Sequence, residues 1–267
     1  MIASCIKHGF PLEFSSALPH HCDAEKFFAS FPLPKSAHNY FPAPQSPFVI
    51  NLASSDPEIR SRSVNHCIAG LKLCSESQIG FFSAHAGFMI DPPPHELGQK
   101  LTQKSSAGNR PLHWNLFLES VRSILVEAER LNMDFYIENN VVAKFNLGNE
   151  GENPLLCGHP DEIVRLCDEI GHPRFGILLD TAHLKVSSGT LNFDLLQGAD
   201  KVLRCVKMVH HSDNNGLVDS NELLPDDYWF APFMVAVRAL PQVLEVKSID
   251  DVHIQRQIAL LRRLMDE

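Results

Sequence analysis

Short apolar runs alternate with longer segments of helical periodicity along the chain. The runs read SPFVINL, IGFFSAH, MDFYIEN, FGILLDTAH, VLRCVKMVHH and PQVLEV. Their length and apolar content predict buried strands. Between them, the pattern predicts a helix over 56–78, with Asp56 as its N-cap and Pro57 at its first position, and a second helix over 159–170. This alternation indicates parallel strands joined by right-handed crossovers.

The polar residues that close these runs favour a barrel over a doubly wound sheet. Five runs carry an acid or a histidine at their carboxyl ends, namely His85, Glu138, Asp180, His210 and Glu245. A doubly wound sheet would more often carry a glycine-rich phosphate loop, and the sequence has no G-x-G-x-x-G. We therefore predict a single α/β domain over 1–267, a (β/α)8 TIM barrel. Because only GFPLEFSS and KSAHNYF precede residue 50 as strand candidates, its first βα unit is either irregular or missing.

Composition narrows the function classes. The chain has 267 residues, 44% of them hydrophobic, and a net charge of -9, which argues against nucleic acid as a partner. Its seven cysteines are scattered, with no C-x-x-C pair, as expected of reduced thiols. The sequence shows no apolar stretch long enough to span a membrane and no signal-peptide pattern at its start. We expect a cytoplasmic protein.

Acids and imidazoles at strand ends predict a metal site. A barrel brings all strand ends to one mouth. The candidate ligands there are Glu138, Asp180 and Glu245 with His38, His85, His183 and His210. Singly, each has a simpler interpretation, since a carboxylate after a strand can cap a helix and a histidine can be hydrogen-bonded in the core. Together they form a mixed nitrogen and oxygen set suited to Zn, Mn, Fe or Co, and a cation would offset the repulsion between the carboxylates.

The segment VHHSDNNGLVDSNELL extends this set. A turn at DNNG would fold the loop back, so that Asp219 and Asn221 present further oxygen ligands, although a solvated turn remains an alternative. His211 should point away from His210 on an extended strand, in a structural or substrate-contacting role.

In this order, the segments SAHNYF, FFSAHAGF, FYIENN, ILLDTAH, MVHHSDNNGLVDSN and VLEV resemble the xylose isomerase-like TIM barrels, which include the sugar phosphate isomerases and epimerases and endonuclease IV. In the epimerase branch, the resemblance implies one divalent metal held by Glu138, Asp180, His210 and Glu245, with His183 beside the substrate. In the endonuclease IV branch it implies three zinc ions, held by His38, His85, Glu138, Asp180, His183, His210, Asp219 and Glu245. The chain departs from the second branch, because it has Asp219-Ser220-Asn221 in place of Asp-x-His and its NNGLVDSN loop lacks a cation.

Three hypotheses follow. The first, which we favour, is a divalent-metal-dependent isomerase or epimerase acting on a ketose, polyol or sugar phosphate. Glu138 and Glu245 would exchange a proton on opposite faces through an enediolate, and His183 would stabilise the oxyanion. The second is an endonuclease IV-like multinuclear zinc phosphoester hydrolase, of AP endonuclease family 2, and the third is a barrel without catalytic activity. One bound ion favours the first and two or three favour the second. If the first βα unit is incomplete, its uncovered strands favour a homodimer.

Overall fold

The computed structural model describes residues 2–15, 19–97, 99–101, 109–148, 151–247 and 250–266. Its strands are β1 (Leu12–Phe14), β2 (Lys35–Ala37), β3 (Phe81–His85), β4 (Asp134–Glu138), β5 (Phe175–Asp180), β6 (Val206–His211) and β7 (Gln242–Leu244). The helices are α1 (Ile2–His8), α2 (Ala24–Ser30), α3 (Pro57–Glu76), α4 (Arg110–Leu131), α5 (Pro160–Ile170), α6 (Thr181–Leu191), α7 (Leu195–Val202), α8 (Met234–Val237) and α9 (Asp251–Asp266). Among these helices, none is long and apolar enough to cross a bilayer.

The chain divides into two compact units. The first comprises Met1–Ile137 and Glu169–Gly176, and the second comprises Glu138–Asp168 and Ile177–Glu267. The predicted single domain over 1–267 remains a prediction. Each unit alternates strands and helices, as the hydrophobic pattern predicts.

In the first unit, α3 packs closely on β3. A Cβ atom on Gly70 would lie 2.4 Å from the ring of Phe82, so glycine is what permits this approach. Helix α3 begins as predicted, because the Asp56 side chain accepts hydrogen bonds from the backbone N–H groups of Glu58 and Ile59. Strand β3 is the neighbour of β4 in the sheet.

The start of the chain holds two short strands. Both strand candidates before residue 50 form, and β1 pairs in parallel with β2 over three residues each, from Leu12 opposite Lys35 to Phe14 opposite Ala37. The question left open by the sequence is therefore answered within the described residues: early strands are present, and they are short.

The predicted strand over SPFVINL is wrong. Residues 46–52 form no strand, although Val49, Ile50 and Leu52 are buried. Side-chain hydroxyl groups bond backbone N–H groups of this run that a strand would otherwise pair. The N–H of Ile50 donates to the Tyr40 hydroxyl at 2.7 Å, and the N–H of Asn51 donates to the Ser63 hydroxyl at 2.9 Å. An apolar run can therefore be buried as a loop when side chains accept the hydrogen bonds of its backbone.

In the second unit, β5, β6 and β7 are parallel neighbours in chain order. The register places Asp180 directly opposite His210, and His211 opposite Leu244. Because parallel strands end at the same edge, the last residues of these strands are brought side by side. Strand β5 is buried along its whole length, as its continuous apolar run predicts.

Candidate metal centre

Four side chains at the strand ends of the second unit converge on one point. Glu138 ends β4, Asp180 ends β5, His210 lies near the end of β6, and Glu245 follows β7. Each of the four offers one ligand atom, and these atoms all lie within 4.8 Å of one another. The first three residues are buried, whereas the Glu245 side chain is 45% exposed. Three of the four candidate ligands are therefore shielded from solvent, and Glu245 is the one that solvent reaches.

Asp180 acts both as a helix cap and as a candidate ligand. Its Oδ1 accepts a hydrogen bond of 2.7 Å from the backbone N–H of His183, in the first turn of α6. Its Oδ2 is buried and has no hydrogen-bond partner among the described residues. A buried carboxylate oxygen without a partner is costly, and a bound cation would satisfy it.

The electrostatics of this site also suit a cation. Burial, together with the carboxylates of Glu245, Glu138 and Asp219, raises the pKa of Asp180 to about 7 against the lowering effect of His183. Burial alone would lower the pKa of His183, but Asp180, Asp219 and Glu138 together hold it well above its usual value. Acids crowded in this way repel one another, and a divalent ion would remove that repulsion.

Asn139 supports the site and was missed by the sequence analysis. Its Oδ1 accepts from the backbone N–H of Asp180 at 2.8 Å, and its Nδ2 donates to the backbone carbonyl of Asp180 at 3.1 Å. Its own carbonyl oxygen lies 2.8 Å from Nδ1 of His183. Asn139 thus fixes both Asp180 and His183. The available signal was the pair of asparagines in IENN, polar residues that directly follow a buried strand.

His183 lies between two carboxylates. Its Nδ1 is 3.4 Å from Oε1 of Glu138, and its Nε2 is 3.4 Å from Oδ2 of Asp219. The ring is buried. His183 therefore lies beside the four-ligand cluster, with Asp219 on its far side.

The loop that carries Asp219 folds back as the DNNG turn predicts. Asp213 and Glu222 form an antiparallel bridge at its base, and Gly216 adopts a φ of +77° at its turn. The ammonium of Lys185 lies 2.6 Å from Oδ1 of Asp213 and fastens the loop to α6. Asn221 is buried, with a left-handed φ of +49°, which asparagine tolerates.

A profile of the xylose isomerase-like TIM barrel family matches residues 21–263. The chain belongs to this family. The match confirms the predicted α/β barrel class.

The family relatives differ in their named activities. A probable endonuclease 4 from Persephonella marina (strain DSM 14350 / EX-H1) is 25% identical over 245 residues, covering 82% of this chain and 74% of the relative. Two solved structures share the fold of this chain. A D-tagatose 3-epimerase-like protein has a TM-score of 0.72 at 15% identity, over 96% of this chain and 88% of its own. The D-psicose 3-epimerase of Clostridium cellulolyticum H10, solved with D-tagatose, has a TM-score of 0.67 at 16% identity. The alignment covers 99% of this chain and 92% of the epimerase.

The side chain and the backbone of His210 are both hydrogen-bonded. Its Nδ1 lies 2.8 Å from Oε2 of Glu245. Its backbone carbonyl accepts a hydrogen bond from the Thr181 hydroxyl, which in turn accepts one of 2.7 Å from the hydroxyl of Tyr228. His211 points the other way, with Nδ1 3.0 Å from the Tyr228 hydroxyl, and burial lowers its pKa to about 4. We therefore assign His211 a structural role.

His38 and His85 lie in the first unit of the barrel. Their ring centroids are 5.3 Å apart. Nδ1 of His38 lies 2.9 Å from the Ser83 hydroxyl, and the backbone of His38 bridges to Ser83. Of the eight ligands named from the sequence, the structure therefore gathers Glu138, Asp180, His183, His210, Asp219 and Glu245 within the second unit.

Proposed function

We propose that the chain is a divalent-metal-dependent isomerase or epimerase acting on a ketose, a polyol derivative or a sugar phosphate. The observation that carries this proposal is the four-ligand cluster of Glu138, Asp180, His210 and Glu245, whose two glutamates differ in their access to water. The epimerases among the solved structures with this fold support the same reaction class.

The donor set fits one divalent ion. Glu138, Asp180, His210 and Glu245 would hold it, and three carboxylates with one imidazole suit Zn, Mn, Fe or Co. When bound, the ion would supply a Lewis acid for a substrate carbonyl and its neighbouring hydroxyl.

The two glutamates are suited to moving a proton. Glu138 is 1% exposed, so a proton it holds is sheltered from solvent, whereas the half-exposed Glu245 can exchange its proton with water. One carboxylate would remove the proton from the carbon beside the carbonyl, and the other would return a proton to the opposite face. Because Glu245 exchanges with water and Glu138 is sheltered from it, we expect the proton carried by Glu245 to be replaced by solvent deuterium more often than the proton carried by Glu138.

His183 is placed to stabilise negative charge on a substrate oxygen. Its Nδ1 faces the carbonyl oxygen of Asn139 and its Nε2 faces Oδ2 of Asp219, so both nitrogens face acceptors and both would carry a proton. A cationic imidazole would favour the oxyanion of an enediolate over the neutral ketose.

The test is deuterium exchange. The protein loaded with Mn²⁺ or Co²⁺ is incubated in D₂O with a panel of ketoses and their phosphates, and incorporation of deuterium at carbon is followed by NMR. We expect incorporation with at least one ketose, and its loss in both Glu138→Gln and Glu245→Gln. The control Glu222→Gln changes an exposed carboxylate and should retain exchange. If protein fully loaded with metal incorporates no deuterium into any ketose of the panel, the proposal is contradicted.

A phosphoester hydrolase is the second candidate. Its support is the similarity to the probable endonuclease 4 and the contact between His183 and Asp219, which extends the donor set. However, residues 212–222 contain no lysine or arginine, and the ammonium of Lys185 is bonded to Asp213. Phosphate contacts to nucleic acid usually come from such cations. Cleavage of a duplex with an abasic site, with two or three ions per chain, would favour this candidate.

A further inference from the structure

We propose that Lys185 is a positioning residue, which keeps the carboxylate of Asp219 against His183 by holding a loop on α6. The loop comprises residues 213–222 and is called the Asp219 loop below. Oδ2 of Asp219 is 3.4 Å from Nε2 of His183. The ammonium of Lys185 lies 2.6 Å from Oδ1 of Asp213, the first residue of the loop. The inference rests on the proposed function for the role of His183, but the attachment of the loop can be measured without a substrate.

The Asp219 loop lies on one face of α6. Nδ2 of Asn214 donates to the backbone carbonyl of Ala182 at 3.0 Å, and both residues are buried. Near the carboxyl end of the helix, a Cβ atom on Gly189 would lie 3.5 Å from the carbonyl oxygen of Gly216. Helix positions 182, 185 and 189 are spaced by three and four residues, which places them on the same face. Lys185 therefore contacts the loop between these two points.

The far end of the Asp219 loop is joined to its near end through the backbone. The N–H of Asp213 donates to the carbonyl of Glu222 at 3.0 Å, and the N–H of Glu222 donates to the carbonyl of Asp213 at 2.7 Å. The N–H of Lys247, just beyond β7, donates to the carbonyl of Asn221 at 3.0 Å. Asp219 thus lies between anchored residues, so a displacement of Asp213 from α6 would displace Asp219 as well.

Lys185 and Asp213 form a charged contact of this attachment. Their side chains are only 25% and 12% exposed, so both charges are largely removed from water. A buried charge that loses its partner is costly, and hydrogen bonds between ionised groups are stronger than those between neutral groups. We therefore expect a neutral side chain at position 185 to release Asp213 from the helix. Arginine keeps the positive charge and should keep the contact.

Hydrogen–deuterium exchange of the full-length protein as purified, without substrate, tests the attachment. In Lys185→Gln, we expect the backbone amides of Asp213 and Glu222 to exchange at least about tenfold faster than in the wild type, and Lys185→Arg should restore most of their protection. The matched control Lys201→Gln removes an exposed ion pair with Asp161 and should leave these amides unchanged. Equal exchange in the wild type and in Lys185→Gln would overturn the proposal.

The ring signals of His183 test whether the attachment places Asp219. Nitrogen NMR at one fixed pH, with the signals assigned through His183→Gln, reports the contacts of the imidazole. In Lys185→Gln, the signals should move towards their positions in Asp219→Asn, and Lys185→Arg should return them towards the wild type. In Lys201→Gln they should coincide with the wild type. Wild-type ring signals in Lys185→Gln, alongside shifted signals in Asp219→Asn, would overturn the positioning role.

The catalytic consequence follows from the proposed function. In the deuterium assay, Lys185→Gln should lower incorporation by at least about fivefold, and it should have no further effect in combination with Asp219→Asn. Equal effects of Lys185→Gln in both backgrounds would contradict action through Asp219. A wild type that incorporates no deuterium would contradict the proposed function alone, because the amide and ring measurements decide the role of Lys185 without a substrate.

Discussion

Asp180 accepts a 2.7 Å hydrogen bond from the backbone N–H of His183, while the other oxygen of the same carboxylate is buried without a hydrogen-bond partner in the described part of the chain. The capping bond fixes the carboxylate, and a carboxylate oxygen of Asp180 lies within 4.8 Å of ligand atoms of Glu138, His210 and Glu245. One side chain therefore both caps the start of α6 and places a candidate metal ligand.

The two roles of Asp180 can be separated by Asp180→Asn. Asparagine also caps helices well, so we expect the free energy of unfolding of the metal-free protein to change by less than about 1 kcal/mol. Metal affinity should fall by at least about 100-fold, since even partners outside the ligand set are worth 10–100-fold. Titration calorimetry and denaturant unfolding measure the two quantities.

The chain offers a matched control for this variant. Asp194 caps α7 through a 2.8 Å bond from the N–H of Gln197, and it is exposed. Asp194→Asn should leave metal affinity unchanged. Equal metal affinity in Asp180→Asn and Asp194→Asn would show that Asp180 only caps its helix.

The sequence predicts much of this site because parallel strands share an edge. Glu138, Asp180 and His210 are each recognisable as polar residues near the end of an apolar run, and the register of β5 and β6 brings the last two side by side. The asparagine pair in IENN indicates polar residues after a strand, but the sequence does not predict that Asn139 bonds the backbone of Asp180, because that depends on which backbone groups of Asp180 remain for a neighbour. For the same reason the strand predicted over SPFVINL is wrong, because periodicity cannot distinguish backbone pairing in a sheet from backbone bonds to the side chains of Tyr40 and Ser63.

If Glu138 binds the metal, divalent metal should raise the midpoint of thermal unfolding. Without a cation, Glu138 and Asp180 are buried carboxylates that repel each other, so divalent metal should raise the midpoint of thermal unfolding by several degrees, as expected for a ligand at 100 times its Kd. In Glu138→Gln the metal-dependent rise should disappear, while the metal-free variant should unfold no lower than the metal-free wild type. Scanning calorimetry with and without metal decides this, and a variant that keeps the full rise would count against Glu138 as a ligand.

Tyr228 should matter for stability through its hydroxyl. The hydroxyl donates to Thr181 and lies 3.0 Å from Nδ1 of His211, all of them buried. Tyr228→Phe removes the hydrogen bond that the Thr181 hydroxyl accepts and the hydroxyl beside Nδ1 of His211, so we expect a loss of about 1–3 kcal/mol in the free energy of unfolding. The control Tyr136→Phe removes a hydroxyl that bonds the half-exposed Asp134 and should cost less. A loss in Tyr228→Phe no larger than in the control would contradict this role of the Tyr228 hydroxyl.

His66 should give the fold an acid-sensitive element. Burial lowers the pKa of His66, and Arg62 lowers it further, while Nε2 bonds the carbonyl of Asn39 at 3.0 Å. Because the unfolded chain takes up the proton more readily, the contribution of His66 is present above about pH 6.5 and is lost as pH falls towards the lowered pKa, with a limiting slope of about 1.4 kcal/mol per pH unit. His66→Gln keeps a donor for Asn39 and should reduce the loss in unfolding free energy between pH 7 and pH 5.

The exposed His95 provides the comparison for this effect. Denaturant unfolding at pH 7 and pH 5 should give His95→Gln the same pH dependence as wild type. If His66→Gln also matches wild type, then His66 is not the residue responsible.

The most direct measurement is the number of metal ions per chain, by elemental analysis of protein purified without chelator. We predict about one ion in the wild type and in Asp194→Asn, and none in Asp180→Asn. Two or three ions in the wild type would contradict the single four-ligand centre and favour a phosphoester hydrolase, and a wild type without metal would contradict the proposed function.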